Sequence, residues 1–131
     1  MIHHMTAIKH IEFLVSNLEK AMYFYTGLFG IVGWKQVSEN GFKINDTKIY
    51  FKENTELSMQ KSLGPRHICF QASDRAMVDR VGTYLVESKA RIIRGPQEIS
   101  GEKYSKGYYA VDFYDPDGYI LEVAHSPMGK H

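Results

Sequence analysis

The sequence predicts an α+β protein assembled from two similar halves, and three observations carry that expectation. A five-residue segment occurs twice, as Lys9-His10-Ile11-Glu12-Phe13 and as Arg66-His67-Ile68-Cys69-Phe70. Each copy leads into a helix-capping signal and an amphipathic helical pattern. Each helical pattern is followed by three short stretches of strand character, so each half reads strand, helix, strand, strand, strand.

In the first half, a strand over 9–15 puts Ile11, Phe13 and Val15 on one face and His10, Glu12 and Leu14 on the other, because side chains alternate along a strand. Ser16-Asn17 then offers a helix cap, and Leu18, Ala21, Met22, Tyr25 and Leu28 recur at helical spacing. Gly27 and Gly30 are expected to end this helix, with Gly33 beginning the return. Strands follow over 34–38, 41–44 and 47–52, parted by the turn pairs Glu39-Asn40 and Asn45-Asp46.

The second half repeats the order. Ser73-Asp74 caps a helix whose apolar stripe is Val78, Val81, Leu85 and Val86. Strands are expected over 91–95, 108–114 and 119–124, the last two joined by Asp115-Pro116-Asp117-Gly118. This gives a single domain over 1–131, with module one at about 6–53, a linker at about 54–64 and module two at about 65–126. The polar loop 97–107 is long enough to be expected over a site, and its Lys103, Tyr104 and Lys106 could meet an anion. His3 and His4 lie in what reads as an N-terminal tail.

Composition narrows the function. A chain of 131 residues with 44% hydrophobic content can build one ordinary core. Sixteen Lys and Arg against fifteen Asp and Glu leave a net charge of +1, so no global field draws it to nucleic acid or to an anionic membrane. Its apolar runs are too short to cross a bilayer, and its N-terminus lacks a signal-peptide pattern. Cys69 is the only cysteine, which excludes an internal disulfide and fits a reducing, cytoplasmic setting. The expected partners are small molecules or another copy of the chain.

The same alternation selects the chemistry. In the second half Ile68, Phe70 and Ala72 face the helix, while His67, Cys69 and Gln71 face the opposite, concave side. In the last strand Tyr119, Leu121 and Val123 are core residues and Glu122 shares the concave side with Ile120 and Ala124. A carboxylate between Leu121 and Val123 is costly unless partnered. His10, His67 and Glu122 are therefore the expected metal ligands; the competing reading is a pair of buried, hydrogen-bonded histidines and an incidental carboxylate. Two imidazoles and one carboxylate suit Zn, Ni, Mn, Co or Fe rather than Mg or Ca, and three protein ligands leave positions open for a substrate.

Glu12 shares the face of His10 and is the first choice for proton transfer, with Glu122 the second. Asp112 is expected on the strand beside Glu122, where it could bind substrate. Cys69 also points to the concave side as a substrate contact, reactive only if its thiol pKa is lowered.

These residues resemble the vicinal oxygen chelate superfamily, which includes glyoxalase I, extradiol dioxygenases and bleomycin- and fosfomycin-resistance proteins. The matching segments are Ile8 to Val15 with Leu18, Ala21 and Phe24-Tyr25; Arg66-His67-Ile68-Cys69-Phe70; and Phe113-Tyr114-Asp115-Pro116-Asp117-Gly118-Tyr119-Ile120-Leu121-Glu122. The resemblance implies two βαβββ modules forming an incomplete mixed β-barrel around one divalent metal ion. It implies a homodimer, in some members with the site built across subunits. His10, His67 and Glu122 correspond to three family ligands. The strand expected to supply a fourth reads Lys48-Ile49-Tyr50-Phe51-Lys52, with no Glu or Gln, and Tyr50 there becomes a candidate substrate contact. The implied activity is that of a glyoxalase-like lyase, isomerase or transferase acting on a small substrate with neighbouring oxygens. The alternatives are an Fe(II)-dependent dioxygenase and a non-catalytic ligand-binding or resistance protein.

Overall fold

Both helices begin where a side chain replaces a missing backbone partner. Asn17 accepts from the backbone N–H of Lys20 at 2.9 Å to start α1, Leu18–Val32. Asp74 accepts from that of Met77 at 2.8 Å to start α2, Arg75–Glu87. In this computed structural model, which describes residues 7–56, 65–102 and 104–127, each helix is bracketed by strands in the expected order. Module one has β1, His10–Val15; β2, Lys35–Ser38; β3, Gly41–Ile44; and β4, Thr47–Glu53. Module two has β5, Ile68–Gln71; β6, Ile92–Glu98; β7, Tyr109–Tyr114; and β8, Ile120–His125.

The strands form two open four-stranded mixed sheets of matching topology, β1-β4-β3-β2 and β5-β8-β7-β6. In each, the first strand of the module runs parallel to the last and the others are antiparallel. Two βαβββ modules are thus present.

Three local expectations change. Helix α1 does not stop at Gly27 or Gly30 but runs to Val32, ending on Gly33 in the left-handed conformation with φ 92°. Gly27 has a packing reason instead: a Cβ there would lie 2.5 Å from the ring of Tyr84 on α2, whose hydroxyl donates to the Phe24 carbonyl at 2.7 Å. Val86 is 68% exposed and leaves the core stripe of α2 to Val78, Val81 and Leu85. Strand β6 continues past Pro96 to Glu98, because it is an edge strand where a missing N–H costs no ladder bond.

The helix-facing sides of both sheets line one core. Phe13, Val15, Phe42, Ile49 and Phe51 from module one join Phe70, Val111, Phe113, Leu121 and Val123 from module two around both helices. Polar bonds then lock the modules together. Tyr25, fully buried, donates to Asp115 Oδ2 at 2.6 Å. Ser16 N–H donates to Asp117 Oδ2 at 2.9 Å, and Tyr119 donates to the Leu14 carbonyl at 2.8 Å. The Asp115-Pro116-Asp117-Gly118 turn is therefore a clasp between modules as well as a hairpin. With both inner faces committed to this core, the opposite faces of the two sheets point away from it.

Candidate metal centre

On the outer face of the second sheet, β5 and β8 run in parallel register with Cys69 beside Glu122 and Phe70 beside Val123. That register brings His67, just ahead of β5, to Glu122: His67 Nε2 lies 3.1 Å from Glu122 Oε1. Glu122 is 7% exposed. Its second oxygen accepts from the Tyr108 hydroxyl at 2.7 Å. Burial, reinforced by the bond to Glu122, pushes the Tyr108 hydroxyl far above its ordinary value, so it stays a donor.

The donor chemistry fits an ion. Two ligands each about 2 Å from a metal and at about a right angle lie about 3 Å apart, which is the separation of His67 Nε2 and Glu122 Oε1. Arg66 Nη1 lies 3.0 Å from His67 Nδ1. A guanidinium can only donate, so Nδ1 accepts and Nε2 carries the proton toward Glu122. Metal binding through Nε2 requires the opposite tautomer.

Tyr108 was not among the residues singled out from sequence. It sits one residue before β7, in the segment that closes the loop over this face. Ile99 N–H donates to the Tyr108 carbonyl at 2.8 Å, and the hydroxyls of Ser105 and Ser126 meet at 2.7 Å. Ile99, Ala110 and Ala124 form a small second core beneath, with Tyr104 and Tyr108 packed against it. Lys103 lies outside the described residues, as do His3 and His4.

A cavity of about 390 Å³ opens beside the pair, lined by Cys69, Gln71, Tyr104, Ser105, Tyr108, Ala124 and Ser126. Burial, and next the charge of Glu122, push the Cys69 thiol up to about 12. It stays neutral and contributes a wall rather than a nucleophile. Asp112 lies directly across from Glu122 in the β7–β8 register. Its Oδ2 is held by Arg94 Nε at 2.8 Å, and its Oδ1 is buried with no hydrogen-bond partner.

The first sheet carries the other half of the expected set. His10, Glu12 and Tyr50 share its outer face, with Glu12 paired to Tyr50 in register and the His10 and Tyr50 rings 5.9 Å apart in an edge-on contact. Tyr50 stands across from Glu12 as Glu122 stands across from Cys69, so by repeat position Tyr50 is the counterpart of Glu122. His10 does not join His67 and Glu122 within one chain. Among the described residues, no three His, Cys, Asp or Glu side chains gather closely enough to hold a metal ion.

Paired βαβββ modules in two open mixed sheets define a class of small α+β domains. Residues 7–123 match the Glyoxalase/Bleomycin resistance protein/Dioxygenase superfamily, and the chain belongs to it. It is 31% identical over 121 residues to the metallothiol transferase FosB of Shouchella clausii (strain KSM-K16), covering 88% of this chain and 77% of that protein. It is 22% identical over 132 residues to Glyoxylase I 4 of Arabidopsis thaliana, covering 93% and 72%. A glyoxalase/dioxygenase from Nostoc punctiforme superposes with a TM-score of 0.72 at 22% identity, covering 97% and 99%. Lactoylglutathione lyase from Agrobacterium tumefaciens does so with 0.63 at 20%, covering 98% and 100%. At such identity these two structures speak for the fold. No helix among the described residues is long and apolar enough to cross a membrane.

Proposed function

We propose that the chain is a metal-dependent enzyme of the lyase, isomerase or transferase type, whose ion is held by His67 and Glu122 of one copy and His10 of a second. The observation that carries this reading is the His67–Glu122 pair at 3.1 Å, with Tyr108 holding the outer carboxylate oxygen. Zn, Ni, Mn, Co or Fe suits these donors. When bound, the ion polarises an oxygen of the substrate and stabilises charge that builds there.

The chain's own residues supply the rest. Tyr108 fixes the carboxylate so that one oxygen faces His67. Cys69, Gln71 and Tyr108 line the space into which a substrate extends from the ion. Glu12 lies two positions beyond His10 on the same strand face, so the movement that delivers His10 also delivers a carboxylate able to take and return a proton. Tyr50, in the place of a fourth ligand, offers a hydroxyl to a substrate oxygen instead. Charge also favours pairing of the two open faces. That of the first sheet carries Lys43, Lys48 and Lys52 against Glu12, whereas that of the second carries Glu122 and an Asp112 already paired with Arg94. A homodimer pairing them reciprocally closes on itself and makes two equivalent sites.

Complementation tests the shared site. His10→Ala and His67→Ala homodimers should each lose metal. Dissociating, mixing and reassociating them makes heterodimers with one intact site, so metal content should return to about one quarter of the parent's for random pairing. No recovery on mixing would refute a shared site, and stoichiometric metal in either variant alone would refute the ligand set.

A further inference from the structure

On the outer face of the first sheet, the strand register aligns four basic or metal-ligating side chains in one row. His10 on β1 pairs with Lys48 on β4, Lys48 with Lys43 on β3, and Lys43 with Lys35 on β2. Residues directly across from one another share a face, and like charges so placed repel. Among the described residues none of the three lysines forms an ion pair with a carboxylate. Glu12 faces Tyr50 one row away, and Asp46 lies in the turn between β3 and β4.

The ordinary explanations for surface lysines do not cover this row. Lysine on an edge strand discourages edge-to-edge pairing, which accounts for Lys35 on β2. Lys43 and Lys48 are on β3 and β4, the two interior strands of the sheet. Nor does the module require them. The second-module counterpart of Lys48 is Ile120, two residues before Glu122 as Lys48 is two before Tyr50.

We infer that Lys43 and Lys48 bind an oxyanion group of the substrate, a carboxylate or a phosphate ester, beside the ion that His10 helps to hold. This rests on the proposed metal centre and names the substrate class it serves. Strands are about 5 Å apart, so Lys48 and Lys43 stand about 5 and 10 Å along the sheet from His10. Flexible four-carbon stems let both ammonium groups meet one anion there. The row travels with His10, so whichever copy completes the centre brings the lysines with it. An anion bound between them relieves their mutual repulsion and gains two charge-assisted bonds. A substrate with one end on the ion and its anionic end on the lysines is held at two points.

The test uses inorganic phosphate as the probe and the untagged chain at low ionic strength. Calorimetry on metal-free protein reads the lysines independently of the ion. The parent should bind phosphate, and Lys43→Met with Lys48→Met should weaken it by roughly tenfold or more. Lys43→Arg with Lys48→Arg should retain binding, and Lys20→Met, on α1, should leave it unchanged. Mn(II)-loaded parent should then broaden the phosphorus resonance of bound phosphate, which places the anion near the ion. Phosphate binding that survives the double Met variant, is lost in Lys106→Met instead, or is absent from the parent overturns the inference. Bound phosphate without broadening in Mn-loaded protein overturns its placement beside the ion. Failure of His10→Ala or His67→Ala to remove metal overturns the metal centre alone, because the calorimetric result stands apart from it.

Discussion

The Tyr108 hydroxyl donates to Glu122 Oε2 at 2.7 Å, which leaves Oε1 as the oxygen that meets His67. A partner that orients a ligating carboxylate typically contributes ten- to a hundredfold to metal affinity. Tyr108→Phe should therefore weaken divalent metal binding by roughly tenfold or more. Competition against a chelator of known affinity measures it; unchanged affinity would show that Glu122 is oriented without the hydroxyl.

Arg66 is expected to oppose metal binding. Its guanidinium favours the His67 tautomer with the proton on Nε2, and it adds a positive charge close to where the proposed ion would sit. Arg66→Ala should tighten metal binding by roughly three- to tenfold, the scale of a close charge interaction near a surface. The same chelator competition decides it, and weaker binding would mean that Arg66 supports His67 instead.

Cys69 should be a slow nucleophile. With its thiol pushed up to about 12 by burial and the nearby Glu122 charge, alkylation by iodoacetamide at pH 8 should lag far behind that of a free thiol. Its rate should rise about tenfold per pH unit to beyond pH 10 without a plateau, since only the thiolate reacts. A plateau near pH 8 would contradict this.

Asp115 sets an acid-range dependence of stability. Burial raises its pKa, opposed by the bonds from Tyr25, Tyr119 and Asp117. A carboxyl raised on folding binds more protons in the native state, so its contribution falls as pH rises from the ordinary aspartate value through the raised one, then stays level. Tyr25→Phe removes a bond that lowers this pKa and should widen that window upward. Asp115→Ala should cost roughly 2–4 kcal/mol, since three donors lose their acceptor. Urea unfolding from pH 3 to 8 tests both; a stability rising through the window would reverse the assignment.

Much of this arrangement was legible because it is local. Strand alternation placed His10 and Glu12, like His67, Cys69 and Glu122, on the sheet face away from the helices, and the repeat foretold the two modules. Gly27 misled because its role is contact with Tyr84, on the other helix and far along the chain, which no helical window contains. The strand expected over 91–95 runs on past Pro96 because edge position, which tolerates a proline, is a property of the finished sheet. Alternation puts Tyr108 with Ala110 and Asp112 on the face shared with Glu122, but nothing in the sequence set its hydroxyl apart as the partner of that carboxylate. Nor did the sequence show the separation of His10 from His67 and Glu122, since it depends on how the modules pack through Tyr25, Phe24 and Phe113.

The counterpart relation between Tyr50 and Glu122 bears on stereochemistry. A duplicated frame with a carboxylate in both places would present nearly equivalent surroundings, related by a rotation, to either end of a bound molecule. Here one end would meet a phenol and lysines, the other a carboxylate, a thiol and hydroxyls. A prochiral substrate placed between them has only one comfortable orientation, so the turnover product should have a single handedness.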